Sequence, residues 1–381
     1  MARAGARSQQ RPSRPAAAVV RICSIILIAA CLLAAVFGGL LRVGVVMPAT
    51  AGAHWLLEAG LWHAALMICA FMGTVIAIER AVAVKLPAAY AAPLASALAG
   101  VCLLSGRAAA GGWLLVAAGA VFVWVNIVVV RRQPAPHTRL LLAAAAAWLV
   151  GNALFALGEG AVAVLPWWFA FLVMTIAAER LEMTRLMRRR PAAPWLLLAI
   201  LSLMVAGASW SWLAPRSGGI LYGASLVLLA WWLVTYDIAR RTVFADGLSR
   251  YMAVCLLGGY VWLAVAGIAW AGTALGQPWR DVALHALGLG FIFSMMMGHA
   301  PVILPAIARI KLQFGWPFYL PLAALHASLL VRLGWGTFDL APRAAGAALN
   351  AASIALFAAT MVGAVLASRF ANRAATAVEH S

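Results

Sequence analysis

The chain has 381 residues, of which 66% are hydrophobic and only 10% charged, and it carries a formal net charge of +18. So apolar a composition cannot be hidden inside one water-soluble core, which makes lipid the solvent for most of the chain and leaves almost no length for a soluble domain. The Lys and Arg residues lie in short clusters between apolar runs, where they orient helices against a bilayer, so the charge speaks for topology and no nucleic-acid partner is expected.

One crossing needs about 20 apolar residues, and with loops the length gives roughly twelve crossings. Residues 1–18 read as a cytoplasmic N-terminal tail, 19–370 as a single transmembrane domain and 371–381 as a cytoplasmic C-terminal tail. The Arg-rich stretch from Met1 to Arg21 precedes an apolar run ending near Leu41 that is longer than a signal-peptide core, so it reads as a retained first span. Punctuation by Pro, Gly and charge then places spans near 19–41, 53–78, 88–106, 111–130, 139–158, 162–179, 194–214, 218–237, 251–275, 281–308, 315–336 and 343–368. With both termini inside, the outer segments hold only Arg42, Arg107, Arg216, Arg280, Arg332 and Arg343, and every other Lys and Arg falls on the cytoplasmic side. A bacterial-type cytoplasmic (inner) membrane is the expected location, with the lipid bilayer as the main partner. Cys23, Cys31, Cys69, Cys102 and Cys255 sit in apolar runs without CxxC or CxxCH spacing, which argues against disulfides, zinc ribbons and c-type haem attachment. Paired tryptophans such as Trp167-Trp168 and Trp231-Trp232 near span ends suit an aromatic belt.

An internal repeat links three spans. Phe71-Met-Gly-Thr-Val-Ile-Ala-Ile-Glu79-Arg80 in the second span matches Phe171-Leu-Val-Met-Thr-Ile-Ala-Ala-Glu179-Arg180 in the sixth. In the tenth span His285-Ala286 and Phe293 lie over His63-Ala64 and Phe71. Equivalence of spans 2, 6 and 10 implies three four-helix units repeated about an axis along the membrane normal.

Four of the seven histidines, His63, His285, His299 and His326, fall inside spans. Ligating groups at membrane depth are costly enough to count as site candidates, although a lone histidine is more often a satisfied interhelical hydrogen bond. His63 and His285 occupy the same place in two repeats, so they stand at similar depth and can ligate one haem iron from both sides. His299 follows His285 by fourteen residues, which on a regular α-helix returns to nearly the same face about 21 Å deeper. Counted from the cytoplasmic side, His299 and His326 reach similar depth, making them candidates for a second haem or a metal, or else for a plain hydrogen-bonded pair. Arg280 and Arg332 fall near the outer level, where their guanidinium groups suit carboxylates such as haem propionates or simply snorkel to the interface. Glu58 is a candidate partner for Arg280. The repeated Glu79-Arg80 and Glu179-Arg180 read as salt bridges fixing helix ends or, more sharply, as a proton-entry site. The run Arg185, Arg188, Arg189, Arg190 reads as a lipid-headgroup patch.

Twelve spans in three units, with one histidine on the second span and one on the tenth, resemble the catalytic-subunit fold of haem-copper oxidases, in which such a pair holds the low-spin haem. His63-Ala-Ala-Leu-Met-Ile-Cys-Ala-Phe-Met-Gly73 and His285-Ala-Leu-Gly-Leu-Gly-Phe-Ile-Phe-Ser-Met-Met-Met-Gly298-His299 are similar to His-Ala-rich segments of the NnrS family. Those are haem-containing membrane proteins linked to the nitric oxide response. The resemblance implies haem b on His63 and His285, copper or a second haem as a further candidate, and a redox partner or quinone. It does not extend to oxygen reduction, because Val162–Arg180 and Pro194–Leu213 hold none of the histidines that a copper centre needs. A terminal oxidase is therefore not expected, and whether the chain is an enzyme stays open. Two other readings fit the sequence: a secondary transporter with internal repeats, and a scaffold or assembly protein for a respiratory complex.

Overall fold

A computed structural model describes residues 14–46, 54–183, 192–308 and 310–379, with side chains described over 26–46, 54–183, 192–305 and 310–370. The tail before residue 14, the Arg185–Arg190 patch, Arg309 and His380 lie outside the described residues, as does the Cys23 side chain. Everything regular that is described is helical.

We number the long helices in chain order. α1 is Arg14–Arg42. Among the described residues the helices long and apolar enough to cross a membrane are eleven: α2 His63–Val84, α3 Pro87–Leu104, α4 Ala108–Arg132, α5 Pro136–Ala156, α6 Ala161–Met183, α7 Ala192–Leu213, α8 Pro215–Tyr236, α9 Gly247–Ala274, α10 Arg280–Pro305, α11 Trp316–Thr337 and α12 Leu340–Phe370. In α1 the apolar stretch with described side chains is Ile26–Arg42. The chain is thus an all-α, multi-pass membrane protein, and these helices coincide one for one with the twelve expected spans. Closed helical hydrogen bonding is the reason, because a lipid-facing segment must satisfy every backbone N–H and C=O within itself.

Boundaries moved in two places. The second span begins at His63 because Trp62 departs from helical torsions (φ −100°, ψ 18°), which sets the preceding residues apart as a short helix, His54–Leu61. The last helix continues past the membrane-length segment to Glu379.

Packing gives the repeat a physical meaning. Consecutive helices pack against one another around the molecule, and α12 returns to touch α1, closing a ring. Within that ring α6 touches both α2 and α10, and 78% of its apolar window is buried, the highest share of any span. Since an even number of crossings separates α2, α6 and α10, the three run in one direction through the centre. Small residues allow close approach: a Cβ on Gly207 would lie 2.6 Å from the Tyr222 backbone nitrogen, so α7 and α8 pack backbone to backbone there. Polar glue is also present. Asn152 on α5 donates to the Leu115 carbonyl of α4 at 2.8 Å and accepts from Trp168 Nε1 of α6 at 2.9 Å, joining three helices.

The repeat also appears in the backbone itself. Shortly after its histidine, each of α2 and α10 carries an eight-residue π-helical run, Leu66–Gly73 and Ala286–Phe293 respectively. Long π runs are rare and concentrate at functional sites. α6, the third equivalent, is continuous α-helix around Pro166 instead.

Candidate functional site

His63 opens α2 and lies against α1. Its Nδ1 is 2.7 Å from the Ala35 carbonyl oxygen. A carbonyl only accepts, so Nδ1 carries the proton and Nε2 keeps its lone pair. Gly39, one turn further along α1, makes room for the ring: a Cβ there would stand 2.8 Å from His63 Cε1.

His285 is built the same way on α10. Its Nδ1 is 3.0 Å from the Asp281 carbonyl oxygen one turn back and 3.0 Å from Asp281 Oδ1, two acceptors that again place the proton on Nδ1. Arg332 of α11 grips the same carboxylate with two bonds, Nε to Oδ2 at 3.0 Å and Nη2 to Oδ1 at 2.9 Å. The Nη2 group also lies 3.0 Å from His285 Nε2, which must therefore be the acceptor. Gly346 lets α12 press close to this arginine, since a Cβ there would fall 2.6 Å from Arg332 Cα.

The two histidine rings have centroids 6.4 Å apart and planes inclined by 26°. Both line two adjoining cavities. One, of about 130 Å³, is apolar, walled by residues including Val36, Met67, Phe169, Leu172, Phe293 and Ile354. The other, of about 450 Å³, has mostly apolar walls but carries an excess of cations, with Arg42, Arg280, Arg332 and Arg343 set against Asp281 and Glu159. Arg280 makes no hydrogen bond among the described residues, whereas Arg343 is spent on the Gly336 and Thr337 carbonyls and Arg42 on that of Gly60. The arrangement therefore offers two imidazole lone pairs between a greasy slot and a vestibule suited to anions. Bonds of this kind, with Nδ1–H tied to an acceptor, are what ligating histidines use to fix tautomer and orientation.

His63, His285, Arg280 and Arg332 are thus brought to one place, and His299 and His326 are not brought to each other. His299 donates from Nδ1 to the Met295 carbonyl at 2.6 Å and accepts at Nε2 from Arg180 of α6 at 2.8 Å. His326 accepts at Nδ1 from Trp262 Nε1 of α9 at 2.7 Å. No hydrogen bond or ring contact joins the two, so the expected pair is absent among the described residues. A depth count says nothing about rotation, and the π run between His285 and His299 changes the helical phase; His285 meets α11 while His299 meets α6. Glu58 does not reach Arg280 either; it accepts from Trp62 Nε1 at 2.9 Å and lies 3.4 Å from His54 Nε2.

Asp281, Arg42, Arg343 and Gly39 escaped the sequence reading. Asp281 alone had a visible signal, an acid four residues before His285 on the same helix face. The others are placed by tertiary packing. Among the described residues no group of three or more His, Cys, Asp or Glu could hold a metal ion.

A family model described as a domain of unknown function, DUF8744, matches residues 21–366, nearly the whole chain. The chain belongs to that family. No curated protein and no solved structure matches this DUF8744 chain, so what the histidine pair does must be argued from its own chemistry.

Proposed function

We propose that the chain is a haem b membrane protein, NnrS-like, in which His63 and His285 would hold the iron and which serves membrane electron transfer or a nitric oxide response. The observation that carries this reading is the paired rings, each with Nδ1–H satisfied, His63 with its Nε2 lone pair open and His285 with its own held only by Arg332. Two metal–nitrogen bonds of about 2 Å plus the half-widths of two rings require roughly 6 Å between ring centres, and 6.4 Å is observed. The surroundings fit the rest of a porphyrin. The apolar cavity would take only an edge of the macrocycle and the adjoining larger one the rest with its two carboxylates, Arg280 and Arg332 being the side chains that would pair with them.

Such a group, when bound, supplies one-electron chemistry and a site for diatomic ligands. The protein's own part is to orient both imidazoles through Ala35 and Asp281, to keep lipid and bulk water away from the apolar slot, and to neutralise carboxylates at the vestibule. Arg332 would release His285 Nε2 while keeping Asp281, which it holds through both oxygens. The inner membrane, the cytoplasmic termini and a quinone or protein redox partner belong to the same proposal, supported by the positive-inside distribution of Lys and Arg. His299 and His326, whose lone pairs are taken by Arg180 and Trp262, are not part of it.

A proton-coupled carrier is the second reading, favoured by the carboxylates and guanidinium groups of α2 and α6 that meet inside the bundle. Haem content decides between them. His63→Ala and His285→Ala should each abolish low-spin haem in purified protein, and His326→Ala should leave it; haem retained in both of the first two variants overturns the assignment.

A further inference from the structure

At the end of the bundle opposite the paired histidines, five elements send ionisable groups to one place. Arg80 of α2 lies 3.4 Å from Glu79 and 3.6 Å from Glu179 of α6. Arg180 of α6 donates to His299 of α10 at 2.8 Å. Asp237, immediately after α8, accepts from the Ala239 backbone N–H at 2.7 Å through Oδ1 and lies within electrostatic reach of Arg180, His299 and Tyr260 of α9. Tyr260 stands thirteen residues into the 28-residue α9, so the Asp237 carboxyl that faces it is well inside the bundle.

Two features set this cluster apart from salt bridges that merely fix helix ends. The first is that it is buried and incompletely bonded. Arg180, Asp237 and Tyr260 are 4%, 1% and 1% exposed, yet Arg80 Nε, Arg180 Nε, Asp237 Oδ2 and the Tyr260 hydroxyl have no hydrogen-bond partner. Tyr260 and Asp237 are neighbours, but their approach does not meet hydrogen-bond geometry. Four orphaned atoms within one cluster call for a partner, since buried polar groups are otherwise paired almost without exception.

The second feature is the charge. His299 is neutral, because its Nδ1–H donates to a carbonyl and its Nε2 accepts from a guanidinium. Three carboxylates (Glu79, Glu179, Asp237) against two guanidinium groups (Arg80, Arg180) leave one uncompensated negative charge. Glu182, which also faces Glu179, is half exposed and lies 3.8 Å from His137. Arg240 and Arg241 on the short helix after Asp237 are exposed, Arg240 bonding the Val234 and Thr235 carbonyls. Among the described residues none of these supplies the missing positive charge, and a net charge at membrane depth is expensive.

We infer that this cluster is a proton-binding site, holding one exchangeable proton taken from water onto Asp237 Oδ2, where the O–H can donate to the Tyr260 hydroxyl. Neutrality is then complete, and two of the four orphaned atoms gain a partner. The inference goes beyond the haem reading and does not depend on it: a redox protein and a carrier would each use such a site to exchange protons with the α2, α6 and α10 C-terminal side.

Infrared spectroscopy of the purified full chain in lipid nanodiscs tests it directly. At neutral pH the wild-type protein should show the carbonyl stretch of a protonated carboxylic acid, shifting in D₂O and lost on alkaline titration. Asp237→Asn should remove that band. Glu179→Gln should remove it too, although Asp237 is still there, because the remaining two carboxylates balance two guanidinium groups; a merely structural role for Glu179 would leave it. Tyr260→Phe, the mildest change, should keep the band and shift its frequency, and serves if the Asp237 variant does not fold. A wild-type protein without the band, or a band unaltered in all three variants, overturns the proposal. Haem content is read on the same samples, so failure of the iron assignment is seen separately.

Discussion

His285, Asp281 and Arg332 form a unit in which each side chain satisfies another, and the energetics of that unit are testable apart from any cofactor. Arg332 is 7% exposed and Asp281 25%, so removing one partner strands a largely desolvated charge. Arg332→Met should cost about 2–3 kcal/mol of stability, and Asp281→Leu combined with it should restore part of that loss, because replacing both charges removes the stranded one. Thermal unfolding of the variants in detergent measures both numbers. Gly39 gives a second residue-scale prediction. Its missing Cβ leaves the space that the His63 ring fills, so Gly39→Ala should displace the ring and lower haem content, while Gly363→Ala, with nothing within 4 Å, should leave it unchanged. A Gly39→Ala protein with full haem content would show that the ring has slack. Of these residues, the histidine pair was legible in the sequence, because a repeated His-Ala at matched positions carries depth and direction together. Arg332's bond to His285 was not, since it joins two helices whose mutual rotation no spacing encodes.

At the scale of single helices, α2 and α10 carry the same backbone departure directly beyond the same residue. A π turn holds more residues than an α turn, so each run re-aims the helix that follows it. That is why the regular-helix argument, which put His285 and His299 on one face, failed while the order of the spans held. Apolar length and charge punctuation decide where a helix starts and stops in lipid; its phase depends on each turn being α. Between helices, the Asn152 bonds to Leu115 and Trp168 tie α4, α5 and α6. Asn152→Ala should lower stability by about 1–2 kcal/mol, read from the same thermal unfolding, with no change in spectrum. A loss near zero would mean that water replaces the amide.

Across the whole molecule, α6 touches both α2 and α10, and these are the three helices that the sequence repeat had matched. The repeat was readable because Phe71, Phe171 and Phe293 recur at matched positions, and all three are buried. The internal asymmetry was not readable: α6 has no histidine over His63, and its Arg180 crosses to His299 while Arg80 stays with the glutamates. Orientation in the membrane follows from charge alone and has its own test. Single cysteines at Glu159 and Gln277 should react with an impermeant thiol reagent in intact cells, and those at Gln133 and Phe244 only after permeabilisation; the reverse pattern would invert the topology.

The haem reading rests on the His63 and His285 lone pairs holding the iron. Its most direct test is a reduced-minus-oxidised visible spectrum of the wild-type protein, purified from cells able to supply haem, with pyridine extraction to identify and count the porphyrin. A sharp low-spin b-type signal at one haem per chain is the predicted result. A well-folded preparation with no haem would contradict it and leave the proton-coupled carrier as the reading that the polar cluster supports.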